Sequence, residues 1–280
     1  MPLLKWALDH GADTNIGRPT NQEETDKYFP LADAWSEQSI DLLLKHGAEI
    51  DDSGALAHFA RYEQLKLLKV LLARGAKPSD LALVHASHAK YTAIVKLLLD
   101  AGAKPESKDS LVLWGVEDLE IATMLIDAGF PVNVHQNDQR YQDPGGTPLH
   151  IAALAGNLEM VRLLIARGAK VDATRKNTET PLFYAVGNRT TDMVNLLLDA
   201  GANINHLNEK NESVLFAALE TQNLPVLKLL IERGADVTIE DRYHRTALHY
   251  AEDYAEKTSF GNQEGIDILK AAALAKKPKK

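Results

Sequence analysis

Cysteine is absent from the 280 residues. Disulfides, thiol nucleophiles, iron–sulfur clusters and cysteine-ligated zinc are thereby excluded. Aromatic residues make up only 6%, so the core must be built from Leu, Ala, Ile and Val. No apolar run approaches the roughly 20 residues of a membrane-spanning helix. The brief apolar start from Met1 is broken by Lys5, ends in Asp9, and lacks the order of a signal peptide. Basic residues are few as well: 31 against 39 acidic, a net charge of −8. Four of them, Lys276, Lys277, Lys279 and Lys280, lie in the last five residues, leaving 27 basic against 39 acidic in 1–275. Such a body lacks the basic face that broad nucleic-acid binding requires. The hydrophobic content of 45% exceeds that of a disordered chain. These absences predict a cytoplasmic or nuclear protein with no membrane insertion and no cofactor.

What the chain does have is a period. A Leu-rich run ending in Gly, usually followed by Ala, recurs as LLKWALDHGA, LLLKHGA, VLLARGA, LLLDAGA, MLIDAGF, LLIARGA, LLLDAGA and LLIERGA. Its glycines are Gly11, Gly47, Gly75, Gly102, Gly129, Gly168, Gly201 and Gly234, spaced 36, 28, 27, 27, 39, 33 and 33 residues apart. A second phrase starts at Thr147, Thr180, Ser213 and Thr246, always 33 residues apart: TPLHIAA, TPLFYAV, SVLFAAL and TALHYAE. Thr or Ser before Pro reads as a helix start, with the hydroxyl as cap. Gly after a Leu-rich helix reads as a stop. Asn157 and Asn223 mark the turn between two short helices, and small residues such as Ala152, Ala185 and Ala218 allow close helix approach. One such pair cannot bury its own apolar face, whereas stacked copies can. At 33 residues per unit the chain holds about 8.5 copies.

On these phrases, chiefly TPLHIAA…VRLLIARGAKVD at 147–172 and its in-register copies, the chain resembles the ankyrin repeat family. The resemblance covers nearly the whole chain, more loosely before residue 147. It implies an all-α solenoid of about eight antiparallel helix pairs plus an N-terminal half-repeat, with hairpin fingers and a protein-binding surface. It also implies that His150 and His249, in TPLH and TALH, tie the Thr hydroxyl to the backbone and serve structure. The predicted layout is one solenoid over 1–275: a half-repeat at 1–12, divergent short repeats at 30–130, a long finger at 131–146, regular repeats at 147–238, and a capping repeat at 246–275. A basic tail, 276–280, follows. Because the chain begins mid-repeat, either Met1 opens an atypical cap or the chain is part of a longer protein.

Departures from the period suggest where specificity lies. Gly75 to Ala82 and Gly102 to Asp109 span 7 residues where Gly168 to Pro181 spans 13, so the middle fingers are short. Gly129 to Pro148 spans 19 and carries Arg140 and Tyr141, types favoured at binding hot spots. Registration on Thr147 assigns Tyr184, Glu220, Tyr250, Asp253 and Tyr254 to the open side of the first helices. Backward registration from the glycines assigns His58, Arg61, Tyr62, His85 and His88 there, then Val112, Gly115 and Val116 beside Trp114.

Two readings stand side by side, and in a third the chain is an interaction module of a larger multidomain protein whose chemistry lies elsewhere. The principal one is a non-catalytic scaffold, a monomer, that binds another protein with a basic segment. Its contact residues are Trp114, Arg140, Tyr141, Tyr184, Glu220, Tyr250, Asp253 and Tyr254. The alternative is an enzyme or small-molecule binder using His58, Arg61, Tyr62, His85 and His88 for anion binding or acid–base chemistry. No metal-ligand spacing, phosphate loop or catalytic triad motif accompanies that cluster.

Overall fold

The computed structural model describes residues 2–15, 30–51, 54–135, 146–175, 177–187, 190–257 and 263–275. Among them are fifteen α-helices and no β-strand, with one isolated antiparallel bridge between Glu240 and Thr246. The chain forms two compact units, Met1–Pro131 and Val132–Lys280. The first holds α1 (Pro2–Asp9), α2 (Glu37–Lys45), α3 (Ala55–Arg61), α4 (Leu65–Ala73), α5 (Asp80–His88), α6 (Thr92–Asp100) and α7 (Leu119–Asp127). The second holds α8 (Pro148–Leu154), α9 (Leu158–Ala166), α10 (Pro181–Ala185), α11 (Asp192–Asp199), α12 (Val214–Glu220), α13 (Leu224–Glu232), α14 (Ala247–Lys257) and α15 (Gln263–Ala275).

Six antiparallel pairs stand out: α3 with α4, α5 with α6, α8 with α9, α10 with α11, α12 with α13, and α14 with α15. First helices pack on first helices, as α8, α10, α12 and α14 do in turn, and second helices on second helices, as α9 does on α11. The second helices supply most of the aliphatic core. In the Leu triplets the central residue is sealed while its neighbours are half-buried, as for Leu98 and Leu197. Each sealed Leu contributes about 1.5–3 kcal/mol of apolar burial. Phe59 and Phe216 are the aromatics among the largest fully buried side chains.

The local signals behave as their chemistry requires. Gly168 takes φ +87° at the end of α9, and the next N–H, of Ala169, returns to the Leu164 carbonyl at 2.9 Å. Asn157 and Asn223 cap α9 and α13 by accepting the N–H of Met160 and Val226. Thr180 and Ser213 do not cap. Their buried hydroxyls have no partner among the described residues, because Phe183 and Phe216 occupy the place His150 takes after Thr147.

Among the described residues, the units that end at Gly47 and Gly129 have turns where a first helix is expected. Residues 30–33 and 112–115 are turns, yet Leu31, Ala32 and Ala34, and likewise Val112, Leu113 and Val116, are buried. Val112 and Val116 therefore belong to the core, not to the open side where registration from the glycine placed them. With no regular helix, counting back along a helical period loses the face. The shortened fingers are as expected: residues 74–79 join α4 to α5, where 167–180 join α9 to α10.

A polar ladder, which no local sequence signal marks, fixes the register between consecutive repeats. Four residues after the stop glycine, an Asn or Asp accepts the N–H located two residues after the next stop glycine. Asn15 takes that of Glu49 and Asp51 that of Lys77 in the first unit. Asn133 takes that of Lys170, Asp172 that of Asn203, and Asn205 that of Asp236 in the second. Two of its three asparagines, Asn15 and Asn133, also donate to the carbonyls of Gly47 and Gly168, 2.9 Å each.

Candidate functional site

The fingers of the second unit position the candidate surface. Each closes on itself through two backbone bonds: Arg175 N–H to the Glu179 carbonyl and Thr178 N–H back to Arg175, and likewise Asn208 to Glu212 with Asn211 to Asn208, and Asp241 to Arg245 with His244 to Asp241. Short polar side chains hold the turns. Asn208 accepts the N–H of Lys210 and of Glu212, and Asp241 accepts those of Tyr243 and Arg245. Neighbouring fingers then join, Glu209 N–H to the Asn177 carbonyl and Arg242 N–H to that of Lys210. Equivalent side chains are thereby placed side by side at the entrances to α10, α12 and α14.

Tyr184 on α10 and Tyr250 on α14 are equivalent residues two repeats apart, and both are locked. The Tyr184 ring meets His150 edge-on at 5.7 Å, and the Tyr250 ring meets Phe216 at 5.6 Å. Arg175 lies over the Tyr184 ring at 4.9 Å and donates to its hydroxyl, which donates to Glu179 at 2.8 Å. Burial, then the Glu179 bond, pushes the Tyr184 phenol up to about 12. Arg245 lies 5.3 Å from the Tyr250 ring and 5.1 Å from that of Tyr243. It is gripped by Asp241 through two bonds, 2.9 and 2.7 Å, with Asp253 3.9 Å away. Burial alone would raise the Asp241 carboxyl, but the Arg245 bonds hold it below the usual range. Ala217, the equivalent of these tyrosines in the repeat between them, carries no ring.

Carboxylates gather around that smaller residue. Glu220 on α12 accepts from the Tyr250 hydroxyl at 3.4 Å, and among the described residues it is in no ion pair. Burial, then Glu212, raises its pKa; Lys210 works against the rise, and Glu179 adds to it. Tyr254, 43% exposed, has its ring nearly parallel to that of Tyr250 with centroids 6.5 Å apart. Leu219, Glu220, Gln222, Tyr250, Ala251 and Tyr254 line a depression of about 190 Å³. Tyr184, Glu220, Tyr250, Asp253 and Tyr254, the residues assigned from the sequence, lie on consecutive first helices. Arg175, Glu179, Glu212 and Arg245, which touch or adjoin them, were not assigned from the sequence. Glu179, Glu212 and Arg245 recur at a 33-residue spacing within the fingers, among turn residues, whereas Arg175 aligns with Asn208 and Asp241. Arg140 and Tyr141 lie outside the described residues.

In the first unit His58 borders an open depression of about 470 Å³ with Asp33, Trp35, Phe59 and Tyr62. Its ring is 4.8 Å from that of Tyr62, over which Arg61 sits at 5.9 Å. Burial lowers the His58 pKa, Asp33 opposes that and Arg61 reinforces it. His85 is half-buried on α5. His88 is exposed, and its Nε2 meets the carbonyl of half-buried Trp114 at 2.8 Å. Among the described residues no group of three or more His, Cys, Asp or Glu could hold a metal ion, and no helix is long and apolar enough to cross a membrane.

His150 and His249 are structural. The Thr147 N–H and hydroxyl both reach His150 Nδ1, at 3.0 and 2.9 Å, and Thr246 treats His249 Nδ1 likewise, at 3.4 and 3.0 Å. A backbone N–H can only donate, so Nδ1 of His150 accepts and its proton is on Nε2, directed to the Glu179 carbonyl at 3.2 Å.

Antiparallel helix pairs stacked first on first and second on second, with fingers joined edge to edge, define a helical repeat protein built to present a surface. Residues 112–208 and 191–273 match the family model for ankyrin repeats (three copies), together more than half of the chain. The protein belongs to the ankyrin repeat family. It is similar to an ankyrin repeat protein of Fowlpox virus (strain NVSL), 39% identical over 71 residues. That match covers 25% of this chain and 35% of the viral protein, so it spans about a third of the relative's length. Ankyrin repeats are in general protein–protein interaction modules.

Proposed function

We propose that this protein is a non-catalytic interaction module, working as a monomer, whose second unit holds a basic segment of a partner protein. The segment lies across the open side of α10, α12 and α14. The observation that carries this reading is the row of Tyr184, Glu220, Tyr250, Asp253 and Tyr254 on consecutive first helices, with Glu179 and Glu212 beside it. Tyrosines offer broad, stiff, amphipathic contact at low entropic cost. Carboxylates speed encounter with a cationic segment and exclude acidic competitors. The fingers and the aromatic locks hold this row in place before a partner arrives, which lessens the ordering cost of binding.

The test pairs Glu220→Lys with Asp253→Lys. Partners captured by the wild-type chain are compared with those retained by the double variant, with helicity followed by circular dichroism. Loss of a partner that carries a basic segment, at unchanged helicity, is expected. Equal capture by both proteins refutes the reading. Size-exclusion chromatography with light scattering checks the monomer.

A further inference from the structure

The second unit builds one contact twice from its own residues: a tyrosine, a cation over its ring, and a carboxylate. Arg175, Tyr184 and Glu179 form the first. Arg245, Tyr250 and Asp241 form the other. Tyr250 has a second neighbourhood, towards α12, where the pattern is incomplete. There Glu220 supplies a carboxylate and Tyr250 and Tyr254 supply rings, while among the described residues no cation pairs with Glu220. Lys210 is near enough to influence Glu220 but makes no ion pair with it, and Glu212 and Glu179 add negative charge nearby. The adjoining depression, about 190 Å³, is smaller than the roughly 300–1,000 Å³ of small-molecule sites, and suits one extended side chain. Its apolar wall, Leu219 and Ala251, fits a methylene stem, and its one carboxylate fits a charged tip.

We propose that this depression is the receptor for a single lysine or arginine side chain of the partner, with the stem against Tyr254 and Ala251 and the cation at Glu220. The proposal rests on the basic-partner reading above and narrows it to one pocket. The partner's cation completes here a tyrosine–cation–carboxylate set like those the chain supplies for itself at Tyr184 with Arg175 and at Tyr250 with Arg245. Cation–π attraction and a charge-assisted hydrogen bond act on the same group.

The probe is a fluorescein-labelled nine-residue Gly/Ser peptide with three lysines, titrated by fluorescence anisotropy to about 1 mM protein at physiological salt. Its counterparts carry three arginines or three acetyl-lysines. The variants are Glu220→Gln, which removes charge with little change in shape, and Tyr254→Ala, which removes a wall with no change in charge. Glu232→Gln, at the exposed end of α13, alters net charge equally at a distance. Circular dichroism verifies folding of each. Expected are binding of the lysine or arginine peptide, none of the acetylated one, and a loss of about tenfold or more with Glu220→Gln. A loss of about three- to tenfold is expected with Tyr254→Ala, and wild-type affinity with Glu232→Gln. Loss with Glu220→Gln but not with Tyr254→Ala overturns the pocket and leaves the basic-partner reading standing. Equal losses with Glu220→Gln and Glu232→Gln reduce the binding to net charge and also overturn the pocket. No binding by the wild type, or no loss in any variant, overturns both.

Discussion

Burying His150 makes the second unit sensitive to acid in a way that can be worked out in advance. The side chain is 1% exposed, and burial lowers its pKa from 6.5 to about 4. Its hydrogen bonds agree: Nδ1 already faces a backbone N–H, so a proton there would set donor against donor. In the unfolded chain the imidazole takes up a proton near its ordinary value, while in the folded chain it resists until about 4. The folded pKa is therefore depressed, and the associated stability is present above pH 6.5 and is lost as pH falls towards 4. The full difference corresponds to about 3 kcal/mol, of which about 2 kcal/mol is lost between pH 7.5 and 5. Guanidinium titrations read by far-ultraviolet circular dichroism at several pH values measure it. All three tryptophans, Trp6, Trp35 and Trp114, lie in the first unit, so their fluorescence is not the probe for this loss. The matched variant is His150→Gln. Glutamine can still reach back to the Thr147 N–H as in a capping box, but it does not titrate. The variant should start about 1 kcal/mol lower through loss of the bond to the Glu179 carbonyl, with an acid slope shallower by about 2 kcal/mol over that range. Identical acid slopes in the two proteins would refute the assignment.

Gly146→Ala should destabilise the same unit by several kcal/mol, because the new Cβ would stand 2.4 Å from His150 Cγ; a thermal melt indistinguishable from wild type contradicts the packing. The two kinds of helix start should separate under mutation. Thr147→Val removes a hydroxyl bonded to His150 and costs about 1–2 kcal/mol, whereas Ser213→Ala removes a buried hydroxyl with no partner and is neutral or stabilising in urea titrations. Asp172→Ala removes one rung of the ladder and should lower stability by about 1 kcal/mol by the same measurement. Binding of the lysine peptide should weaken on acidification. Burial raises the Glu220 pKa above its ordinary 4.5, a bound cation favours the ionised form, and the proton competes as pH approaches that range. Glu220→Gln should flatten the profile in isothermal titrations.

The helices were legible because their signals are local and repeated. A Leu-rich run closed by Gly declares its own period, and the 33-residue spacing of Thr147, Thr180, Ser213 and Thr246 marks the starts of α8, α10, α12 and α14. The open side of the first unit was harder to read. At Val112–Val116 the missing helix removes the periodicity from which a face is read, and two valines assigned outwards are core. The ladder escaped because Asn15, Asp51, Asn133, Asp172 and Asn205 bond to residues in the next repeat, and loop polarity carries no mark of its distant partner. Arg74 and Arg233 escaped for the same reason. Each precedes a stop glycine and reaches back to the previous second helix, Arg74 to Asp41 at 2.8 Å and Arg233 to Asp199 at 2.5 Å.

The same contrast explains how a regular stack acquires a particular surface. Positions that face neighbouring repeats are held by packing: Leu164, Leu197 and Leu230 recur at a spacing of 33 and are all sealed. Positions that face outwards recur just as strictly in space but not in kind. Tyr184, Ala217 and Tyr250 are one such column, Glu179, Glu212 and Arg245 another, Gly187, Glu220 and Asp253 a third. Where a column brings a cation beside a tyrosine, the chain neutralises itself, as at Arg245. Where it brings a second carboxylate, as at Glu212 and Glu220, negative charge is left facing solvent. Exchanging one column member changes the charge presented at one point without disturbing the stack that presents it. The repeat therefore fixes where side chains stand, and the departures from it fix what they can hold.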